Sequence, residues 1–366
     1  DEPTGILKDA AIRLVEAAMP KPSKTDREAA LRLALAKAAA EGVTSVHDVT
    51  DWGNPDWSEW ALFQQFRAQS ELTCRIFARL PLIDWDRRRA DMPAFLTGDA
   101  ADPWLRFGGL KGFTDGSLGG HTAYFFDPYN DAPDNFGLLL PDMFPAGAME
   151  KRIREADQAG IPVSIHAIGD KANSILLDIF ESVAGHNGPR DRRLRIEHAQ
   201  HLRQSDIERM GRLGVIASVQ PAHLIDDGGW AERSIGVGRC QLTYPFRSLI
   251  EAGVRLAGGS DWPVAELSPL LAIHAAVNRE TADGQFPGGW NPQQKLSVDQ
   301  AIAAFTSGAA YAEFAEAEKG SLTPGKFADL VVLSDDPFQV DPSTLKQIQV
   351  LQTIAGGQLV FERSES

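Results

Sequence analysis

Two cysteines, Cys74 and Cys240, are the chain's whole supply, and they stand far apart in unrelated contexts. That spacing excludes a structural zinc site built of cysteines and excludes a redox pair; two reduced core residues are expected instead. Positive charge is short as well: 36 Lys and Arg stand against 50 Asp and Glu, a formal net charge of -14. A reader of the phosphate backbone needs the opposite balance, so nucleic acid is excluded as a partner. No apolar run approaches the length of a membrane span, and the N-terminus lacks the charged, apolar and small-residue order of a secretion signal. The expectation is a soluble, cytoplasmic protein without a membrane partner. No Gly-x-Gly-x-x-Gly follows any predicted strand, which removes the best support for a dinucleotide-binding sheet.

What is present is ordinary globular composition, 43% apolar and 23% charged over 366 residues, enough for one large barrel or two smaller domains. One junction recurs: an amphipathic helix, a glycine, then a β-branched run. It reads Ala40-Glu41-Gly42-Val43, Gln158-Ala159-Gly160-Ile161, Arg212-Leu213-Gly214-Val215 and Glu251-Ala252-Gly253-Val254. Glycine just past a helix fits the left-handed position that a Cβ resists, and the β-branched residues after it favour a strand. Thr25 with Glu28, and Ser205 with Glu208, have capping-box spacing. Strands are predicted near 43–49, 75–82, 105–113, 161–167, 193–199, 215–221 and 254–260. Strands that alternate with helices pair in parallel, so the fold class is α/β, and seven in succession favour a closed TIM-type (β/α) barrel over an open sheet. From about residue 320 the texture changes. Pro324 to Leu333 and Val350 to Phe361, the latter around Gly356-Gly357, read as strands of a small β piece. The division is therefore a barrel over 1–319 and part of a β-sandwich over 320–366. Asp127 to Pro145 reads as a long loop leaving the catalytic rim.

His166 closes the run Ile161-Pro162-Val163-Ser164-Ile165, and His198 closes Arg193-Leu194-Arg195-Ile196-Glu197. Each is thus expected at a C-terminal strand end, where barrel enzymes keep their chemistry. A lone strand-end histidine is more often a hydrogen-bonded packing residue, but two on consecutive strands at one level suggest ligand clustering. Asp261 ends the last predicted barrel strand; a turn or N-cap role is the plain alternative. Lys111 stands where a barrel would bury it, and burial depresses a lysine's pKa toward the neutral amine. A neutral amine can add carbon dioxide to give a carbamate, an anionic ligand able to bridge metals; a salt bridge with Asp115 is the simpler reading. His47 and His201 are placed near the rim, and His186 in a surface turn.

Taken in order, Lys111-Gly112-Phe113-Thr114-Asp115-Gly116-Ser117-Leu118-Gly119, Ile165-His166-Ala167-Ile168-Gly169-Asp170, Ile196-Glu197-His198-Ala199-Gln200, Gly259-Ser260-Asp261-Trp262-Pro263 and Gly325-Lys326-Phe327-Ala328-Asp329-Leu330-Val331 resemble the amidohydrolase superfamily. The likeness is to its amidohydrolase-3 branch, with the YtcJ-like proteins and N-substituted formamide deformylases, and it spans nearly the whole chain. The resemblance implies one or two divalent metal ions, with zinc preferred because its borderline character suits nitrogen and oxygen ligands. It makes Lys111 the carboxylated bridging lysine, His166 and His198 ligands of the second metal, and Asp261 both a ligand and the base that takes the proton of an attacking water. The reaction implied is hydrolysis of an amide-type, non-peptide C-N bond in a small-molecule substrate. His121, His223, Trp262 and Asp115 are expected to contact that substrate, and the loops Asp127 to Pro145 and Ile225 to Arg239 to set specificity. A homo-oligomer is compatible with all of this. The family also carries a His-x-His pair on its first barrel strand, and no His-x-His occurs here. The expectation that follows is an N-terminally shortened chain, a weak catalyst by itself or an inactive binding scaffold, whose four site residues still converge on one cavity.

Overall fold

The computed structural model describes residues 18–49, 57–90 and 102–364 and, before residue 18, positions 5, 7 and 11–16. Seven strands form one parallel sheet in sequential order: β1 (Ser45–Val49), β2 (Arg75–Pro81), β3 (Leu105–Phe113), β4 (Val163–Ala167), β5 (Arg195–His198), β6 (Ile216–Val219) and β7 (Leu256–Gly258). All seven lie within the predicted runs. The junction glycines explain why four of those runs were readable: Gly42, Gly160, Gly214 and Gly253, before β1, β4, β6 and β7, all have φ between 65° and 81°. The long crossovers that parallel pairing requires carry helices. They include α1 (Lys24–Ala40) before β1, α2 (Ser58–Ala68) after it, α3 (Ala148–Gln158) before β4, α4 (Asp170–Asn187) after it, and α5 (Gln204–Leu213) between β5 and β6. Between β6 and β7 come α6 (His223–Asp227), α7 (Ala231–Cys240) and α8 (Phe246–Glu251), and α9 (Pro269–Asn278) follows β7.

The sheet is curled. Arg195 on β5 contacts His47 on β1, with Nη1 2.5 Å from Nδ1, although strands four places apart in a flat sheet would stand about 19 Å apart. The expected parallel α/β sheet is there, with β1 and β7 as its two edges, which do not pair with each other. Instead the helical turns Ala304–Gly308 and Ala309–Ala312 lie against β7. Just beyond them Glu313 reaches His47, and Lys319 reaches Ser45, both on β1. This segment therefore crosses between the two edges.

Outward positions of the strands, among them Leu80, Leu110, Ile165 and Ile196, are fully buried under the helices. Gly109 on β3 allows β4 to come close: its φ is 111°, and a Cβ there would sit 2.1 Å from the Pro162 carbonyl oxygen. Cys74 and Cys240 are free and buried, as expected.

Both capping boxes are corrected. The first helix starts two residues earlier than Thr25 suggests, and Ser23 caps it reciprocally with Asp26. The second helix is preceded by Arg203 with no side-chain cap, because Ser205 already lies in its first turn. The segment Ile225 to Arg239, expected as a loop, is largely helical within α6 and α7.

A second, antiparallel sheet holds β8 (Leu330–Leu333), β9 (Val350–Ala355) and β10 (Gln358–Glu362), in the order β10-β9-β8. Its hairpin turns at Gly356-Gly357, with φ of 59° and 78°, the left-handed pair that a two-residue hairpin needs. It packs on α1, where the Thr353 hydroxyl donates to the Ala39 carbonyl at 2.7 Å. Arg75 of β2 joins it to the larger sheet through a bidentate pair with Asp329, at 2.6 and 2.9 Å. Among the described residues no helix is long and apolar enough to cross a membrane.

Candidate metal centre

Strand alternation decides which side chains face the inside of the curl. On β4 Ser164 and His166 share a face, on β5 Arg195 and Glu197 do, and Lys111 lies in register with Ser164, which is in register with Arg195. The inward set carries charge: Arg79, Lys111, Arg195 and Glu197 are each no more than 6% exposed. Arg195 is the hub. Its Nε lies 2.7 Å from Glu197 Oε1, and its Nη2 donates to Ser218 Oγ at 2.8 Å. Burial works against an ionised Glu197, but Arg195, Lys111 and Arg79 hold its carboxyl well below the usual range. Burial lowers the Lys111 ammonium to about 8, despite the opposing pull of Glu197 and Asp261. This layer was missed in reading the sequence, although Arg195-Ile196-Glu197 and Ser164-Ile165-His166 carry the polar-apolar alternation that signals a polar inner face.

By the same alternation His198 should point outward with Ile196. It does not, because its φ is 75° and Ala199 follows at 46°. The turn to left-handed backbone swings the imidazole back over the strand end. There its ring centroid lies 4.6 Å from that of His166 and 6.1 Å from that of His223. Asp261, three residues past β7, is also left-handed, with φ of 59°. Non-glycine residues pay for such conformations, and these outliers gather at sites where side-chain aim matters.

Three potential ligands converge. His198, His223 and Asp261 each offer one ligand atom, and these atoms lie within 4.8 Å of one another, the one such group of three or more among the described residues. His223 Nε2 is 3.7 Å from Asp261 Oδ2. Two imidazole nitrogens here, His198 Nδ1 and His223 Nε2, are buried without a hydrogen-bond partner. Burial lowers the pKa of both histidines, that of His198 to about 3 with His166 adding to the fall, so both rings are neutral at pH 7. Neutral imidazoles with open nitrogens beside a carboxylate fit a borderline divalent cation. Burial also raises the pKa of Asp261, against the pull of its neighbours His198 and Lys111.

The other expected residues fall in varied places. His166 is beside the group, with Nε2 3.0 Å from the Gly116 carbonyl oxygen. Lys111 is buried, with Nζ 4.0 Å from the centre of the Phe113 ring. Asp115 does not bridge to Lys111: its carboxylate is fully buried and accepts from the backbone N-H groups of Tyr124, Ile168 and Gly169 at 2.8 to 3.0 Å. That role pins the loop after β3 against the end of β4. His121 is held on the same loop by Asp131 at 2.9 Å, and Trp262, 42% exposed, lies next to Asp261. Of the residues placed near the rim, His47 lies in the inner charge layer against Arg195 and Glu313. His201 is buried with Nδ1 2.8 Å from Thr243 Oγ1. His186 is exposed in the last turn of α4.

A curled parallel α/β sheet with imidazole and carboxylate groups gathered at its C-terminal strand ends defines the class of the molecule. The chain belongs to the amidohydrolase family, in its amidohydrolase-3 branch, whose model matches residues 1–361. It is 40% identical over 370 residues to Protein LONG AFTER FAR-RED 3 of Arabidopsis thaliana, covering 98% of this chain and 62% of that protein. It is 33% identical over 368 residues to the putative amidohydrolase YtcJ of Bacillus subtilis strain 168, covering 99% of this chain and 66% of the relative. The chain thus spans about two thirds of the length of these relatives. Among solved structures, an uncharacterized metal-dependent hydrolase from Pyrococcus horikoshii OT3 superposes with a TM-score of 0.79 at 29% identity, over 93% of this chain and 67% of the other.

Proposed function

We propose that this chain carries the active site of a metal-dependent hydrolase that cleaves amide-type, non-peptide C-N bonds in a small molecule. The observation that carries the reading is the convergence of His198, His223 and Asp261 at the strand ends, with two imidazole nitrogens buried and unpartnered. The curled sheet is read as a TIM-type (β/α) barrel whose edges are spanned by residues 304–319, so this end is the catalytic face. A divalent ion held there, zinc by preference, would supply Lewis acidity to a water and to the substrate carbonyl.

The chain's own residues do the rest. Asp261 accepts the proton of the attacking water and returns it to the leaving amine, as a carboxylate with a raised pKa is suited to do. Lys111, desolvated and partly neutral near pH 8, adds carbon dioxide through its amine nitrogen, losing one proton to solvent and becoming an anionic carbamate. Trp262 and His121 stand on segments bordering the site and are assigned to the substrate. The absence of any His-x-His favours one competing reading, a scaffold that binds the small molecule without turning it over.

The test is a panel of N-acyl amines, N-substituted formamides and cyclic amides, assayed for amine release by the zinc-loaded and the chelator-stripped chain. Release that depends on metal supports the hydrolase. Equal release by both forms refutes it, and saturable binding without release selects the scaffold.

A further inference from the structure

We infer that Asp227 is a positioning residue: its carboxylate ties the segment that carries His198 to the helix that carries His223, and so sets how the two imidazoles stand to each other. The inference rests on the reading that both histidines belong to the active site, and not on the reaction proposed for it.

His223 opens α6 and Asp227 closes it, four residues on and therefore on the same helix face. A five-residue helix has too few internal hydrogen bonds to hold its own direction, so what its last residue binds matters for where its first one points. Asp227 Oδ2 accepts two hydrogen bonds, from Gln200 Nε2 at 2.8 Å and from the Tyr244 hydroxyl at 2.6 Å. Gln200 stands two residues past His198, directly after the left-handed pair His198 and Ala199 that swings the imidazole over the strand end.

Both donors belong to one paired unit. The segment after β5 runs alongside the segment before α8: Tyr244 N donates to the Gln200 carbonyl at 2.7 Å, Leu202 N to the Leu242 carbonyl at 3.2 Å, and His201 forms an antiparallel bridge with Thr243. The fully buried Arg279 clamps that unit, donating to the carbonyls of Trp290, Tyr244 and Thr243 at 2.5, 3.0 and 3.3 Å. α6 thus docks through one carboxylate oxygen on the chain that leaves His198, and the rings of His198 and His223 stack at 22° with centroids 6.1 Å apart. Neither donor carries a charge, so an amide oxygen in the same place can accept both bonds, whereas an apolar side chain accepts neither.

The experiment compares the 366-residue chain with Asp227→Leu, Asp227→Asn and Tyr244→Phe, and with Thr353→Val, which removes a buried hydrogen bond at the small sheet and controls for general destabilisation. Folding is checked by circular dichroism. In the chelator-stripped chains, cross-relaxation between the isotope-labelled ring protons of His198 and His223 should be present in the unsubstituted protein, Asp227→Asn and Thr353→Val, weaker in Tyr244→Phe and lost in Asp227→Leu. Titration with Co²⁺ should show an affinity about 10–100-fold lower in Asp227→Leu, as loss of an outer-shell partner does, and about threefold lower or more in Tyr244→Phe, with a shifted d–d spectrum in both. Tyr244→Phe keeps the ring packing and decides the matter if Asp227→Leu does not fold. Ring contacts unchanged in folded Asp227→Leu or in Tyr244→Phe, an asparagine variant as impaired as the leucine one, or an equal change in Thr353→Val each overturn the positioning role. No cobalt binding by the unsubstituted chain removes the metal function instead, and the ring contacts still decide the role of Asp227.

Discussion

The Arg75–Asp329 pair is the joint between the two sheets, and its removal is a direct test of how they are held together. Both side chains are nearly inaccessible, at 5% and 6%. The guanidinium donates to both carboxylate oxygens at 2.6 and 2.9 Å and to the Pro103 carbonyl at 2.6 Å. It also lies over the Trp104 and Phe327 rings, at 4.7 and 4.0 Å. Asp329 has one other donor, the Gly356 N-H at 2.7 Å. Replacing Arg75 with Met keeps much of the packing but strands a buried carboxylate with a single donor. Breaking one partner of such a pair costs about 3–5 kcal/mol, a factor on the order of 10²–10⁴ in the folding equilibrium. Asp329→Leu should cost a similar amount by leaving the guanidinium unpaired. Arg75→Met with Asp329→Leu should be more stable than either single variant, because no uncompensated charge remains. The assay is urea unfolding followed by tryptophan fluorescence, with Trp104 as an adjacent reporter. The exposed Arg247–Glu251 pair, at 47% and 63% side-chain exposure, is the control and should be worth less than about 0.5 kcal/mol. If Arg75→Met costs no more than Arg247→Ala, or if the two single losses simply add in the double variant, the reasoning fails.

Two further outcomes follow from the inner charge layer. Burial works against ionisation of Glu313, yet His47 and Lys319 bring its pKa down to about 2. A depressed carboxylate contributes stability that is present above its unfolded value, 4.5 here, and lost as pH falls through the folded value; Glu313→Gln should therefore flatten the loss of stability between pH 4.5 and 2, and an unchanged slope in acid denaturation would count against the linkage. Lys111→Ala should lower amide turnover on the order of 10²-fold or more, with partial recovery by added acetate or formate if a carbamate oxygen is what was lost, and no response to either acid would remove the carbamate.

Four of the seven strands, β1, β4, β6 and β7, were legible because two local signals coincided: a glycine fit for left-handed backbone and a β-branched run after it. Depth inside the curl was not. His47 and Lys111 both lie on strands, but strand register and curvature determine that one meets Arg195 and Glu313 while the other lies toward Asp261. Neither quantity is local in sequence. The role of Asp115 was hidden for a similar reason, since its three N-H donors come from Tyr124, Ile168 and Gly169, two of them more than fifty residues away. His223 was legible as a strand-end residue but not as a member of the ligand group, because that depends on the backbone turns at His198 and Asp261. Sheet closure was not legible, because counting strands says nothing about what lies between the first and the last.

The inner layer also bears on what the site can hold. Arg79, Lys111, Arg195 and Lys319 stand inside the curl against three carboxylates, those of Glu197, Glu313 and Asp261. A dication bound there would be repelled by these cations at low effective dielectric unless one of them gives up its proton. Arginine does not release its proton at neutral pH, and Lys319 is engaged by Glu313 at the β1 edge. Lys111 is the group whose proton burial has already loosened and which Asp261 feels directly. Its deprotonation would remove one positive charge, and the proposed carbamate would put a negative one in its place. If the proposed carbamate forms on Lys111, metal affinity should rise with bicarbonate in the unsubstituted chain but not in Lys111→Ala, and an equal response in both would refute it.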